Sequence, residues 1–222
     1  MNAGKLIVAG TPVGNLEDMT QRAKKALEEA DFILAEDTRR SIKLLNHYAI
    51  GKKELISFSQ QKERQKTDGI IERIRQGEIA CIVSDAGMPC VSDPGSFIVN
   101  ECYNNDIKVD VIPGPSAFVL AYAASGFSGS FIFEGFIGRD KKFRRFLRKN
   151  IEESRHIIFY ESPYRLKKVL TDIKAILGER DVFIAREMTK MHQEFFRGSV
   201  SDAIAHFNGE VKGEITVIIK GS

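Results

Sequence analysis

Short apolar runs alternate with stretches of helical periodicity along the chain. The runs IVAG, ACIVS and ITVII are continuous rather than alternating, which is typical of strands covered on both faces in a mostly parallel sheet. The pattern predicts strands at Lys5–Ala9, Phe32–Ala35, Ile79–Ser84, Lys108–Ile112, Ser130–Phe133, His156–Tyr160, Asp181–Ala185 and Glu214–Ile219.

The stretches between these strands predict helices. Thr20 is a good N-cap for a helix that runs through Ala30, because apolar residues recur in it at spacings of three and four. Further helices are predicted at Arg40–His47, Lys62–Arg75, Phe97–Asn104, Pro115–Ala124, Lys141–Asn150, Pro163–Ile176 and Ser201–Phe207. Strands that alternate with helices predict an α/β fold.

The segment Pro113-Gly114-Pro115 is the best candidate for a domain boundary. Two prolines around a glycine cannot continue a strand, and each side of the segment holds about half of the predicted elements. The sequence therefore predicts two α/β/α domains with mostly parallel sheets, at residues 1–113 and 114–222.

Composition limits the class of protein. Of the 222 residues, 43% are hydrophobic and 28% are charged, as in ordinary globular domains. No apolar run approaches the roughly 18 residues that span a bilayer, so no membrane association is expected. Cys81, Cys90 and Cys102 are odd in number and lack CxxC spacing, which indicates neither a disulfide framework nor a zinc site. We expect a cytoplasmic protein without a bound metal.

Two loops follow strong strands, at the end where ligands bind in open α/β sheets. Gly10–Asn15 matches neither GxGxxG nor GxxxxGK[ST], and no lysine follows it to meet a phosphate, so a ligand loop and a plain tight turn both stay open. In the second loop, residues 84–95, Asp93 and Pro94 are expected to cap and begin the next helix. Asp85 ends the preceding strand, where we expect it to meet a ligand.

The start of the helix after the fourth strand is the third candidate. Ser116 and Ala117 would present exposed backbone N–H groups at that N-terminus. These N–H groups are equally consistent with a simple helix cap and with a contact to a ligand.

Together and in this order, the loops resemble the tetrapyrrole methylase superfamily, and within it the branch that modifies small-subunit ribosomal RNA. Met88, Cys90 and Gln193 depart from residues more usual there. The matching segments are GTPVGNLEDMTQRA (10–23), EDTRRSIKLLNHY (36–48), SDAGMPCVSDPG (84–95), VIPGPSA (111–117), FEGFIGR (133–139), FYESPYRL (159–166), AREMTKMHQEFFRGSV (185–200) and KGEITVII (212–219).

The resemblance implies a two-domain α/β fold, a homodimer, and S-adenosylmethionine held in the interdomain cleft. It implies 2′-O-methylation of a cytidine in the decoding centre of 16S rRNA. Since S-adenosylmethionine has no phosphate, the lack of a phosphate-binding lysine in the first loop agrees with it. The implied cofactor contacts are Pro12, Asp85, Gly87, Met88, Val91, Ser116, Ala117 and Tyr160, with Gly213 and Glu214 as further candidates.

The implied reaction needs a way to activate a ribose hydroxyl, which is a poor nucleophile while protonated. Candidate catalytic residues lie just beyond predicted strands: Glu36, Asp37, Arg39, Glu187, Lys190 and Glu194. Asp37 or Thr38 could instead cap the next helix, and the later residues could form a solvated, salt-bridged loop. The sequence leaves the base unassigned.

A basic segment suits RNA phosphates. Residues 139–149 include seven basic residues among eleven. Phe143, Phe146 and Leu147 form one helical stripe that can dock on the domain and turn the cations outward. Such a face should bind RNA with a steep salt dependence, and the small ribosomal subunit is the expected partner. The predicted RNA-binding residues are Arg40, Lys43, Arg139, Lys141, Lys142, Arg144, Arg145, Arg148 and Lys149.

Two other functions stay open at this point. One is a methyltransferase of the same superfamily that acts on a tetrapyrrole or a protein side chain. The other is a non-catalytic RNA-binding protein of α/β fold, because one fold hosts many functions. The identity of the methyl acceptor separates the first from rRNA methylation, and S-adenosylmethionine binding separates the second.

Overall fold

A computed structural model describes residues 4–222. The chain divides into two compact units between Ser116 and Ala117, and each unit contains its own five-stranded sheet. The boundary expected at Pro113 lies a few residues earlier. The division into domains at residues 1–113 and 114–222 stays a prediction. Across residues 4–222 no helix is both long enough and apolar enough to cross a bilayer.

The first unit has a wholly parallel sheet in the order β3-β2-β4-β1-β5. Its strands are β1 (Lys5–Ala9), β2 (Phe32–Ala35), β3 (Glu54–Ser57), β4 (Ile79–Val83) and β5 (Lys108–Ile112). Its helices are α1 (Gln21–Glu29), α2 (Thr38–His47), α3 (Glu63–Arg75) and α4 (Ser96–Asn104), with a 3₁₀ turn at Leu16–Asp18. The parallel arrangement predicted for this half is confirmed.

The continuous apolar runs of the first unit are buried on both faces of the sheet. Leu6 and Val8 pack in one apolar cluster, whereas Ile7 and Ala9 pack in a second. Thr20 caps α1 as predicted, since its side chain accepts a hydrogen bond from the Ala23 backbone N–H at 3.1 Å. The local signals therefore agree with the packing of this unit.

The second unit has a mixed sheet in the order β6-β7-β10-β8-β9. Its strands are β6 (Phe131–Phe133), β7 (His156–Glu161), β8 (Asp181–Arg186), β9 (Glu194–Ser199) and β10 (Ile215–Ile219). Its helices are α5 (Ala117–Ser125), α6 (Lys141–Lys149), α7 (Leu166–Leu177) and α8 (Val200–His206), with a 3₁₀ turn at Pro163–Arg165.

The expectation of a mostly parallel sheet is wrong for this unit. Only β6 and β7 pair in parallel, and the β7–β10, β10–β8 and β8–β9 pairs are antiparallel. Burial on both faces does not report strand direction once helices cover both faces of the sheet. The short connection between β8 and β9, residues 187–193, is the signal that was missed, because a parallel crossover needs a dozen or more residues.

Two strands at sheet edges were not predicted. β3 contains only two apolar residues, Leu55 and Ile56, and β9 begins at Glu194, for which a solvated loop was one of two open alternatives. Edge strands bury less of their surface, so their patterns are weak. The position of β9 changes the setting of Glu194, which lies in a strand rather than a loop.

The predicted apolar stripe of the basic helix is confirmed. Phe143 and Leu147 of α6 are fully buried, and Phe146 packs partly against the same cluster. α6, α7 and α8 contribute to this cluster on one face of the second sheet, while α5 packs against the other face. The basic residues of α6 are therefore turned to solvent.

The close contact between Gly10 and Gly114 limits which substitutions the first unit tolerates. A Cβ on Gly10 would lie 2.6 Å from the Gly114 Cα, whereas a Cβ on Gly69 in α3 would meet nothing within 4 Å. We expect Gly10→Ala to lower the free energy of unfolding by about 1–3 kcal/mol through overpacking. Gly69→Ala, the matched control, should raise it by about 0.5–1 kcal/mol through helix propensity. Urea unfolding measures both, and equal effects would contradict the close backbone approach.

Candidate functional site

Hydrogen bonds join the loops that follow β1, β4 and β5 at the carboxyl end of the first sheet. These joined loops form the loop edge of the first unit. Thr11 and Gly87 exchange backbone hydrogen bonds of 2.8 and 3.1 Å, and the Gly10 N–H donates to the Ile112 carbonyl at 3.2 Å. The Thr11 hydroxyl also donates to the Ser84 carbonyl at 3.2 Å. This edge lies at the carboxyl ends of the strands, where open α/β sheets bind ligands.

Glycine allows the backbones at this edge to come together. The Cα atoms of Gly10 and Gly114 leave no room for a Cβ on either residue, and Gly87 has φ +87° and is buried. Only glycine fits such positions without strain, so the three loops pack main chain against main chain here. Pro12 is buried in the first of these loops, and Met88 and Val91 are half-buried in the second.

Asp85 connects the end of β4 to the start of α2. Its Oδ1 accepts from the Asp37 backbone N–H at 3.1 Å, and its Oδ2 lies 3.4 Å from Arg40 Nε. The side chain is 25% exposed, so it can still meet a ligand at its open side. A contact between Asp85 and a cofactor stays a prediction.

Asp93 does not cap the helix that follows it, contrary to the sequence expectation. Gly95, with φ +129°, precedes the first residue of α4, and the two residues before it belong to the loop. Asp93 instead lies near Ser84 at the end of β4 and near Glu36. Burial, followed by the nearby charge of Glu36, raises the pKa of Asp93 to about 7.

A carboxylate from another helix takes over the capping of α4. Oε1 of the buried Glu63 in α3 accepts from the backbone N–H groups of Gly95 and Phe97 at 3.0 Å and of Ile98 at 3.3 Å. The sequence reading missed this role, since Glu63 resembles an ordinary acid of a first helical turn. The loop that carries Asp85 and Asp93 is thereby anchored to α3.

Glu36 and Asp37 are adjacent in sequence but differ in acidity. Burial, followed by the charge of Asp85, raises the pKa of Glu36, although the Asp85 backbone N–H donates to it. Asp37 forms an exposed ion pair with Arg39 at 2.6 Å, and the hydrogen bonds from Arg39 hold its pKa far below the usual range. Asp37 also caps α2 through the Arg39 backbone N–H at 2.9 Å. The cap alternative is thus confirmed for Asp37, and Glu36 is the better proton acceptor of the two.

A second set of predicted residues meets in the second unit. Lys190 Nζ lies 2.9 Å from Glu187 Oε1 and 3.0 Å from Glu214 Oε2. Glu187 has φ +50°, and its carboxylate occupies the space beside Gly213 that a Cβ there would need. The predicted candidates Glu187, Lys190, Gly213 and Glu214 therefore form one cluster.

The pKa shifts within this cluster argue against a role as the general base. Burial acts to raise the pKa of Glu187, but hydrogen bonds from Lys190 and the Glu214 backbone outweigh it and lower the pKa overall. Burial acts to lower the pKa of Lys190, but its bonds to Glu187 and Glu214 raise it overall. Each group is held in its charged form, as in a structural ion pair.

Glu194 lies apart from that cluster, on β9. Its carboxylate accepts from Arg186 Nε and lies beside His206 Nε2, each at 2.7 Å. Hydrogen bonds from His206 and Arg186 lower the pKa of Glu194. These three side chains line an open groove of about 430 Å³ with residues 207–212.

The remaining predicted cofactor positions lie at strand and helix ends. Tyr160, near the end of β7, packs its ring 5.1 Å from Phe133 and 5.5 Å from Phe136. Ser116 precedes α5 and Ala117 begins it, and both are half-buried. Their roles as cofactor contacts stay predictions.

The predicted RNA-binding residues fall into two places. Arg40 and Lys43 are exposed on α2 in the first unit, and the others lie at the start of α6 or along it in the second. Arg144 has a packing role as well, since its Nε lies 2.9 Å from Asp172 Oδ1 on α7. Among residues 4–222 no group of three or more His, Cys, Asp or Glu side chains is arranged to hold a metal ion.

Comparisons with known proteins agree with this architecture. The family model for Tetrapyrrole (Corrin/Porphyrin) Methylases matches residues 5–204. The Ribosomal RNA small subunit methyltransferase I of Thermotoga maritima is 56% identical over 220 residues, which cover 98% of this chain and 99% of that protein.

Two crystal structures have a similar fold. The methyltransferase CobJ has a TM-score of 0.73 at 19% identity, over 99% of this chain and 95% of that one. Uroporphyrin-III C-methyl transferase from Thermus thermophilus, complexed with S-adenyl homocysteine, has a TM-score of 0.66 at 17% identity, over 97% of each chain. At this level of identity the likeness concerns the fold alone.

The raised pKa of Asp93 has a consequence for stability. Between its usual pKa near 4 and about 7, the folded protein keeps a proton on Asp93 that the unfolded chain releases. Stability should therefore fall as pH rises through this window, by less than the roughly 1.4 kcal/mol per pH unit of one full proton. Asp93→Asn should remove this part of the decline, as urea unfolding across the window can measure. Parallel curves for the variant and the parent would contradict the shift.

Proposed function

Because this chain belongs to the tetrapyrrole (corrin/porphyrin) methylase family, and within it to the ribosomal RNA small subunit methyltransferase I proteins, we propose that it methylates the 2′-hydroxyl of a cytidine in 16S rRNA. The methyl donor is S-adenosylmethionine. The main support for an RNA substrate is the 56% identity to the Thermotoga maritima protein over nearly the full length of both chains.

The loop edge of the first unit fits this donor. S-adenosylmethionine has a sulfonium, an ammonium and no phosphate, so it needs close main-chain approach and negative charge near its cationic groups. The close packing of Gly10 on Gly114 holds the loops together, the carboxylates of Asp85 and Glu36 supply negative charge, and no lysine lies in loops 10–15, 84–95 or 113–116. Tyr160, Gly213 and Glu214 of the second unit remain proposed contacts on the basis of family resemblance.

The donor supplies an electrophilic methyl group when bound. The ribose 2′-oxygen then bonds to the methyl carbon as the carbon–sulfur bond breaks, the bonding pair stays on sulfur, and the hydroxyl proton leaves. We propose that the Asp93 carboxylate takes this proton, with the neighbouring Glu36 as the alternative acceptor, because a general base works best with a pKa near the operating pH. The other candidate acids, Asp37, Glu187 and Glu194, are held ionised with lowered pKa values and attract a proton less.

The partner and compartment follow from the same proposal. The substrate is the rRNA of the small ribosomal subunit, held through the exposed cations of α6 with Arg40 and Lys43, and the protein works as a homodimer. The cytoplasm is the proposed location, and the thiols of Cys81, Cys90 and Cys102 are free, as a reducing compartment would keep them.

The direct test is methyl transfer from tritiated S-adenosylmethionine to small ribosomal subunits that lack the modification. We expect label in 16S rRNA, resistant to alkaline cleavage at one cytidine because a 2′-O-methyl group blocks that reaction. Free rRNA, transfer RNA and uroporphyrinogen serve as parallel acceptors. Label only in a tetrapyrrole or in ribosomal protein, with donor binding intact, would move the assignment to another member of the family.

A second test concerns the base. The single-turnover rate should rise with pH through about 7 as Asp93 loses its proton. Asp93→Asn should lower the rate by about 100- to 10,000-fold and flatten this rise, with S-adenosylmethionine affinity largely kept. Asp68→Asn, which alters an exposed acid of α3, is the matched control and should leave the profile unchanged. An unaltered pH profile in the Asp93 variant would exclude Asp93 as the base.

A further inference from the structure

Two large aromatic side chains stand in solvent at one end of the second sheet. Phe136 is 66% exposed and Tyr164 is 90% exposed. Phe136 follows β6 and Tyr164 follows β7, and because these strands pair in parallel, the two loops leave the same edge of the sheet. Aromatic rings gain much from burial, so a pair of open rings at one edge indicates a surface that another molecule covers.

Hydrogen bonds hold the two loops in place. Arg165, next to Tyr164, donates to the Gly138 carbonyl in the loop of Phe136 at 3.0 Å. The same guanidinium lies 3.1 Å from Oε1 of the buried Glu161. The loops that carry both rings are therefore held in place. A ligand that covers the rings loses little free energy in ordering the protein.

The loop of Phe136 is also paired to the main chain of β7. The Tyr160 N–H donates to the Gly135 carbonyl at 2.8 Å, and the Phe136 ring packs 5.5 Å from the Tyr160 ring. One side of the Phe136 ring is thus supported while two thirds of the side chain stays open. A ring that is supported on one side and exposed on the other is suited to stacking on a base.

The helices that start from these loops supply positive charge. α6 and α7 are joined side by side by the ion pairs Arg144–Asp172, at 2.9 Å, and Lys168–Asp140. The acids at the contact between the helices, Asp172 and Asp140, are thereby paired with cations. Within residues 4–222 no carboxylate lies within 4 Å of the other exposed cations of this surface: Lys141, Lys142, Arg145, Arg148 and Lys149 of α6, and Lys167 and Lys174 of α7.

Resting on the RNA substrate proposed above, we infer that Phe136 and Tyr164 stack on unpaired bases of the RNA whose phosphates lie on the cationic surface of α6 and α7. RNA is read mainly through unpaired bases, and aromatic rings stack on any base without regard to its identity. The α6 and α7 cations supply charge for phosphates, but α6 offers no ring for stacking, because its aromatic rings are turned inward.

A protein partner fits this surface less well. The buried centre of a protein interface is depleted in lysine, whereas lysines make up most of the unpaired cations beside Phe136 and Tyr164. Uncompensated cations beside exposed rings match a single strand that offers phosphates on one side and bases on the other.

Fluorescence anisotropy with a short labelled unpaired RNA, and with a duplex of equal length, tests the inference on the full chain. Phe136→Ala and Tyr164→Ala should each weaken binding of the unpaired RNA by about 5- to 150-fold, the worth of one stacked base. Tyr164→Phe keeps the ring and should keep the affinity. Duplex affinity should stay unchanged in the ring variants but fall in Arg145→Ala/Arg148→Ala and with added salt.

Tyr103→Ala is the matched control, because Tyr103 is a tyrosine of α4 that is also 66% exposed. It should leave RNA affinity unchanged, and all variants should keep the parent's melting temperature and S-adenosylmethionine affinity. Unchanged affinity for unpaired RNA in both ring variants would overturn the stacking role. Ring variants that bind RNA normally but no longer bind assembled subunits would overturn it in favour of a ribosomal protein contact.

The methyl-transfer assay separates this inference from the proposed function. If subunits are methylated at a ribose while the ring variants bind RNA normally, only the stacking role fails. If no RNA accepts a methyl group although S-adenosylmethionine binds, the proposed function fails, and any RNA binding through Phe136 and Tyr164 needs another explanation.

Discussion

The backbones of Gly10 and Gly114 pass so close that a side chain on either residue would collide with the other. That contact, with the paired main-chain bonds between Thr11 and Gly87, fixes the loops of three neighbouring strands relative to one another. Each loop alone would be an ordinary turn. Held together, they form an edge that brings the carboxylates of Asp85, Glu36 and Asp93 close to one another. The candidate donor site depends on this constraint.

Electrostatics divides the carboxylates of the protein into two kinds. Glu36 and Asp93 lie at the loop edge, where within residues 4–222 neither forms an ion pair, and burial raises the pKa of both although Arg40 opposes this for Glu36. Glu187 and Glu194 accept hydrogen bonds from Lys190 and Arg186, which lower the pKa of each. The pKa of a carboxylate is thus raised in one place and lowered in another, because the neighbours differ.

The second unit uses charge for packing as well as for binding. Arg144 and Lys168 neutralise the acids between α6 and α7, which keeps the helices side by side. Among the described residues, the remaining cations of α6 and α7 have no carboxylate within 4 Å and stay in solvent, where they suit a polyanion. Exposed rings at the start of the same helices add contacts that do not depend on salt. An affinity built from both would be weakened by salt without being abolished by it.

The sequence by itself determined the α/β class, most strand and helix positions, the Thr20 cap and the buried stripe of α6, since these depend on the local order of polar and apolar residues. The motif segments also determined the family. The tertiary structure decided what depends on residues far apart in the chain. Glu63 caps a helix that begins more than thirty positions later, which displaced Asp93 from that role and placed it beside Glu36. The direction of β10 and the edge strands β3 and β9 were also decided there, because pairing and burial, rather than local pattern, set them.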